Sequence, residues 1–219
     1  MSLHEKGFLK MSENIKPTVG ILLFDEVEVL DFCGPFEVFS VARRPGVHND
    51  SAQLFNVVTI AETDRIISCR GGLLVKPQAT IEQHPALDIL VVPGGNGTRT
   101  ERHNNKLIEW IQQQDRQTQL TTSVCTGAFL LAESALLDQR HATTHWNSVT
   151  WMKETYPRTT VLADARIVDE GHIITSAGIS AGIDMSLYIV ERLFGTETAQ
   201  WTAKHMEYEW HARGQVVKY

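Results

Sequence analysis

Cys125 lies where a strand-like segment runs into a helix-like one. Leu120–Val124 precedes it, Thr126 follows it, and Gly127 opens a run of helix formers. A thiol at such a junction faces the unpaired N–H groups and the positive end of the helix dipole. Both features favour the thiolate, which is the nucleophilic form of cysteine. The alternative is a small buried cysteine that ends a core strand.

A second strand end carries glycines that could act with this thiol. Gly94 and Gly95 follow a proline at the end of an apolar run. Glycine lets a bare backbone N–H approach a substrate closely. The N–H groups of Gly95 and Thr126 could together hold a negatively charged atom during attack. A sharp turn is the alternative interpretation of this Pro-Gly-Gly run.

Asp31 is a candidate acid because apolar residues flank it on both sides. A carboxylate in this position is either a helix cap or a buried acid. A buried acid beside a thiolate has its pKa raised by desolvation and by the like charge. It can then stay protonated at neutral pH, donate a hydrogen bond to sulfur and shuttle protons.

Two other polar residues lie in motif-like runs. His145, in the run 142–146, is either a base for Cys125 or a wall of the pocket. The chain has nine histidines, so a structural role is the commoner one for any of them. Asp184 stands near the start of an apolar helix-like segment, where we expect it to make a structural hydrogen bond.

Short apolar strands alternate with helical segments along the chain, which indicates the α/β class with a doubly wound, mostly parallel sheet and helices on both faces. Ligands of such sheets bind at the carboxyl ends of the strands. Strands are predicted over 18–24, 53–61, 71–75, 79–81, 88–92, 120–124, 160–168 and 172–176. Helices are predicted over 27–42, with a break at Gly34-Pro35, and over 106–117, 126–137, 147–156, 180–194 and 197–208.

Length and composition set the broad class. We expect a disordered extension over 1–16 and a single domain over 17–219. The net charge of −6, without a basic stripe, gives nucleic-acid binding no support. Three cysteines without a CxxC pair make neither a disulfide scaffold nor a metal site. The chain shows no signal peptide and no apolar run of membrane-spanning length, so we expect a cytoplasmic protein with no membrane partner.

Several runs, taken in order, resemble the DJ-1/PfpI superfamily, relatives of class I glutamine amidotransferase domains, and imply a flavodoxin-like, DJ-1-like fold. The resemblance covers roughly residues 18–210. It is carried by the runs 22–31, 34–38, 93–95, 123–127, 140–146 and 176–184.

Two branches of this superfamily share the pattern. In isonitrile hydratase, a cysteine followed by threonine attacks the isonitrile carbon with help from an aspartate, and the corresponding positions are Cys125, Thr126 and Asp31. Members that use a glutamate earlier in the first turn leave Glu26 or Glu28 as alternative acids. Protease-like members carry a histidine directly after the cysteine, where this chain has threonine. The other branch comprises the sensor domains of helix-turn-helix regulators, whose DNA-binding tail this chain ends too soon to include.

The resemblance implies a cysteine-dependent hydratase or C–N hydrolase for a small molecule. Isonitrile hydration to an N-substituted formamide is the most specific expectation. Cys125, Asp31 and Thr126 would be catalytic, whereas Gly94, Gly95 and His145 would contact the substrate. The resemblance implies no metal or organic cofactor. It does imply that the protein forms a homodimer. The alternative function is a non-enzymatic redox or ligand sensor, with Cys125 as the sensing thiol.

Overall fold

The computed structural model describes residues 16–47, 52–211 and 216–219. Most of the expected N-terminal extension therefore lies outside the described residues. Twelve strands and seven α-helices are assigned within the described ranges. The strands are β1 Thr18–Leu23, β2 Asn56–Ala61, β3 Ile67–Ser68, β4 Leu74–Val75, β5 Ala79–Thr80, β6 Ile89–Val92, β7 Leu120–Val124, β8 His141–Ala142, β9 Thr160–Val161, β10 Ile167–Asp169, β11 Ile173–Ser176 and β12 Val216–Lys218. The helices are α1 Val29–Val41, α2 Thr98–Glu101, α3 Asn105–Asp115, α4 Gly127–Glu133, α5 Val149–Thr155, α6 Ala181–Phe194 and α7 Thr196–His205.

One eight-stranded sheet forms the centre of the molecule. Its order is β12-β10-β11-β7-β6-β1-β2-β5, and the six strands from β11 to β5 run parallel. β10 is antiparallel to β11, and β12 runs parallel to β10. The mostly parallel, doubly wound sheet expected from the sequence is thus confirmed.

The central strands are buried along their whole length because helices cover both faces of the sheet. Every residue of β6 and β7 is buried. The helices α1, α6 and α7 contact one another in one group, while α2 and α3 pack against α4 in another. This is the arrangement in which a continuous apolar run, rather than an alternating one, marks a strand.

The expected break at Gly34-Pro35 is wrong, since α1 continues through both residues. Pro35 has no N–H, so the carbonyl of Asp31 loses its usual helical partner. Close packing of two helices compensates. A Cβ at position 34 would lie 2.9 Å from Ile183 Cγ1, so only glycine lets α6 approach α1 this closely.

Other differences lie at element ends and in short strands. The helix expected over 126–137 ends at Glu133, and the segment expected over 147–156 begins as a 3-10 turn at Trp146–Ser148 before α5. β12, β8 and β3 were not expected, because strands of two or three residues show no periodicity. The predicted hairpin around 169–171 is confirmed as the β10–β11 pair. Among the described residues, no helix is both long and apolar enough to cross a membrane.

Candidate active site

Three loops meet at the carboxyl ends of β1, β6 and β7. The loop after β1 pairs with the loop after β6 through a bridge between Val27 and Gly95. The N–H of Glu28 also donates to the carbonyl of Gly94 at 2.9 Å. The turn after β7 holds Cys125, so the segments that carry Asp31, Gly94 and Cys125 converge at one edge of the sheet, as this fold class requires.

Cys125 occupies a strained turn between β7 and α4. Its φ of 57° lies in the left-handed region, which costs a residue other than glycine free energy unless its surroundings hold it. Its N–H donates to the carbonyls of Ser176 and Ala177, at 3.1 and 3.2 Å. The residue is 5% exposed, so it is buried rather than on the surface.

Asp31 is the carboxylate that interacts with this thiol. It is fully buried in the first turn of α1, and its Oδ2 accepts a hydrogen bond from the N–H of Gly94 at 3.0 Å. Burial, aided by the negative charge of Glu28, raises the pKa of Asp31 to about 7, against the opposing effects of Gly94, Cys125 and Arg70. At neutral pH this acid is therefore poised to take up or release a proton.

The second oxygen of Asp31 shows that the carboxyl is not a structural cap. Oδ1 is buried and has no hydrogen-bond partner among the described residues. The residue at the cap position of α1 is Glu28, whose side chain caps nothing. The helix-cap interpretation of Asp31 is therefore wrong, and the buried acid, with one oxygen uncommitted, is the arrangement observed.

The alternative acids lie elsewhere. Glu26 is exposed, at the tip of the loop after β1. Glu28 is half-buried and forms an ion pair with Arg70, whose Nη1 lies 2.7 Å from the carboxylate. Glu28 acts on Asp31 through its charge, and Asp31 is the acid whose side chain meets Cys125.

The thiol of Cys125 is neutral in the resting site, contrary to the expectation of a stabilised thiolate. Burial and the charge of Asp31 raise its pKa to about 12, although a hydrogen bond from the N–H of Thr126 acts in the opposite direction. A seven-residue helix offers only a small counterweight to complete desolvation. A nucleophilic role for this sulfur would therefore require that its proton be removed at the moment of reaction.

Thr126 and the two glycines pack tightly beside Asp31. The hydroxyl of Thr126 accepts from the N–H of Gly95 at 2.9 Å and reaches the carbonyl of Gly95 at 3.2 Å. A Cβ at Gly94 would lie within 2.8 Å of Thr126 and of Asp31 Oδ2, so the loops meet without room for a side chain. The N–H groups of Gly94 and Gly95 are thus already bonded within the protein, whereas we expected them to face the substrate.

His145 lies beside the site, and its described contacts are to Asn147 and Gly178 rather than to the thiol. Its Nδ1 accepts from the N–H of Asn147 at 3.3 Å, and its ring packs directly against Gly178. No hydrogen bond joins it to Cys125 among the described contacts. These contacts agree better with His145 as a wall of the pocket than with His145 as a base for Cys125.

Several residues of the site escaped the sequence reasoning. The hydroxyl of Thr144 donates to the carbonyl of Cys125 at 2.8 Å. Ser176 and Ala177 hold the N–H of Cys125, and Arg70 lies behind Asp31. Two of these segments fall in runs that carried the resemblance, 140–146 and 176–184. The signal was therefore present, but backbone carbonyls and buried hydroxyls acquire roles only through geometry.

Two expectations concern residues farther from the thiol. Asp184 makes the structural hydrogen bonds expected of it: Oδ2 accepts from Arg166 Nε at 2.7 Å, and Oδ1 accepts from the hydroxyl of Tyr208 at 3.1 Å. Cys33 and Cys69 are free thiols, and burial raises the pKa of both.

Comparison with known proteins matches this architecture to a family. The DJ-1/PfpI family model matches residues 17–192. An isonitrile hydratase from Pseudomonas putida is 34% identical over 87% of this chain and 78% of its own length. The transcriptional regulator GbdR from Pseudomonas aeruginosa is 28% identical over 88% of this chain, which spans only 51% of the regulator. The crystal structure of a ThiJ/PfpI family protein from Pseudomonas syringae superposes with a TM-score of 0.78 at 25% identity, over 96% of this chain and 85% of the other. The chain belongs to the DJ-1/PfpI family.

Proposed function

We propose that this protein is a cysteine-dependent hydratase that converts a small isonitrile to an N-substituted formamide. The observation that carries this proposal is the buried pair of Cys125 and Asp31, in which a neutral thiol meets an acid whose pKa is about 7. The similarity to the isonitrile hydratase from Pseudomonas putida supports it, because such a pair can perform the activity for which that relative is named.

In the first half of the reaction, the sulfur and the proton of the Cys125 thiol both add to the terminal carbon of the isonitrile. The ionised carboxylate of Asp31 takes the proton of Cys125 as the sulfur attacks the terminal isonitrile carbon. Asp31 then delivers that proton to the same carbon, which gives an S-linked thioformimidate. The proton removed from sulfur ends on carbon, so Asp31 returns to its ionised form.

The second half releases the product with water. A water molecule adds to the imidate carbon after Asp31 accepts one of its protons, and the nitrogen receives that proton. Collapse of the tetrahedral intermediate breaks the C–S bond while Asp31 transfers the hydroxyl proton to the sulfur, which returns the thiol of Cys125 and yields the formamide. The N–H of Thr126 already donates a hydrogen bond to the sulfur of Cys125. It can therefore stabilise the negative charge that develops on this sulfur as the C–S bond breaks.

A panel of aliphatic and aromatic isonitriles tests the activity. We expect loss of the isonitrile and appearance of the matching formamide, followed by mass spectrometry. Cys125→Ala should abolish turnover, whereas Cys33→Ala, which removes a half-buried thiol elsewhere, should not. No formamide from any member of the panel would refute the proposed substrate class.

A ligand-sensing role is the second candidate, because the regulator relatives align with nearly the whole of this chain. The redox form of that role is weaker, since peroxide reacts with thiolates and the pKa of Cys125 is raised. Binding of an isonitrile or formamide to wild type, with no turnover even over long incubation, would favour sensing over catalysis.

A further inference from the structure

Both backbone polar groups of Cys125 are held by segments outside its own turn. Its N–H is shared between the carbonyls of Ser176 and Ala177. Its carbonyl accepts the Thr144 hydroxyl at 2.8 Å and, more loosely, the N–H of Ala128 at 3.4 Å. Thr144 therefore supplies the short bond at the carbonyl end of the strained residue.

The direction of that carbonyl fixes a group that belongs to the catalytic pocket. The carbonyl of Cys125 and the N–H of Thr126 lie in one rigid peptide plane and point in opposite directions. A hydroxyl that pulls the carbonyl to one side therefore aims the Thr126 N–H to the other. That N–H is the donor that lowers the pKa of the Cys125 thiol.

Thr144 is itself rigidly placed. It is 1% exposed, and the N–H of its neighbour Thr143 donates to Thr175 Oγ1 at 2.9 Å. On its other side, the ring of His145 packs against Gly178. A buried hydroxyl with both neighbours fixed can hold a strained peptide in one orientation.

We infer that Thr144 is a positioning residue, which orients the peptide between Cys125 and Thr126 and thereby sets the reactivity of the thiol. For isonitrile turnover this role rests on the proposed function. For thiol reactivity it does not, because alkylation needs no isonitrile.

The test compares two substitutions at position 144 with one at its neighbour. Thr144→Val keeps the shape and removes the hydroxyl, while Thr144→Ser keeps the hydroxyl. Thr143→Val is the matched control, because that buried hydroxyl bonds to the carbonyls of Leu162 and Ala165, away from the thiol. The rate of Cys125 alkylation by iodoacetamide is read from the peptide by mass spectrometry, beside the melting temperature of each variant.

Thr144→Val should slow alkylation of Cys125 by about tenfold or more, since small misplacements at a reacting centre have large effects on rate. Thr144→Ser should react like wild type. Thr143→Val should lose stability and keep the wild-type rate. Should Thr144→Val fail to fold, Thr144→Ala removes the same hydroxyl without placing a methyl group against the carbonyl.

Wild-type alkylation rates in a folded Thr144→Val or Thr144→Ala variant would overturn the positioning role, whatever happens to stability. The proposed function fails separately. Slowed alkylation in a protein that hydrates no isonitrile would keep the role of Thr144 and remove the substrate. If a folded Thr144→Val variant shows wild-type alkylation and wild-type isonitrile turnover, the proposed function stands and the positioning role of Thr144 is refuted.

Discussion

At the residue scale, burial acts on two neighbouring acids in the same direction. It raises the pKa of Asp31 to about 7 and that of Cys125 to about 12, so the carboxyl ionises first. The pair therefore exists as a carboxylate beside a thiol over a broad range above neutral pH. In such a pair the carboxylate of Asp31 is a general base, and the thiol of Cys125 is the group from which it takes a proton.

The pH dependence of thiol reactivity follows from that order. Alkylation of Cys125 should rise with pH through about 7, because the ionised Asp31 is the group that removes the thiol proton. In Asp31→Asn this rise should vanish, and reactivity should increase only at more alkaline pH, where the thiol ionises directly. Turnover of Asp31→Asn should fall by roughly 10²-fold. The iodoacetamide rate, measured from pH 5 to 10, decides the matter, and an unchanged profile in Asp31→Asn would remove Asp31 from the mechanism.

Asp31 should also make the protein less stable as the pH rises. Because its folded pKa lies near 7 and its unfolded value near 3.8, the folded state holds the proton more tightly. The resulting stability is present below the unfolded pKa and is lost as pH rises through 7. Asp31→Asn, which keeps an acceptor for Gly94, should therefore gain on the order of 2–4 kcal/mol relative to wild type between pH 4 and 7.5.

Urea unfolding at the two pH values measures this difference. Asp64→Asn, at an exposed carboxylate, serves as the control for the removal of one acidic side chain. If the free energy of unfolding depends on pH in the same way for wild type and Asp31→Asn, burial does not raise the pKa of Asp31.

At the element scale, the site depends on loops that touch without side chains between them. Gly94→Ala would place a Cβ 2.6 Å from the Thr126 nitrogen and 2.8 Å from Asp31 Oδ2, which must move apart. We expect about a 10²-fold loss of turnover, since the reacting groups are displaced. Gly171→Ala is the control: it strains a turn with φ of 83° but meets open space, so it should cost stability and spare turnover. Equal turnover in the two variants would contradict this account of the loop.

The longer parallel strands of the central sheet and the edge at which their loops meet were predictable, because buried parallel strands leave long apolar runs and end at one edge. The course of α1 through Pro35 was not, since its compensation comes from Ile183 on a distant helix. The raised pKa of Cys125 could not be predicted from the sequence either. Sequence shows a helix start beside the thiol, whereas the extent of desolvation depends on every element that packs over it.

At the scale of the whole molecule, we predict a homodimer, as the family resemblance implies. The large side chains near the C-terminus make contacts within the chain. Tyr208 bonds to Asp184, and Met206 and Trp210 pack against the chain's own core. Light scattering at micromolar concentration should give twice the chain mass of 24.6 kDa. A mass equal to one chain would refute the dimer without touching the chemistry of Cys125.

The central claim is that Cys125 forms a covalent intermediate with an isonitrile. Rapid quenching during turnover, followed by peptide mass spectrometry, tests it most directly. Because addition of the thiol across the isonitrile carbon loses no atoms, the peptide that contains Cys125 should gain the full mass of the isonitrile, and this adduct should decay as the formamide appears. Formamide production with no adduct on Cys125, or with the adduct on Cys33 or Cys69 instead, would contradict the mechanism.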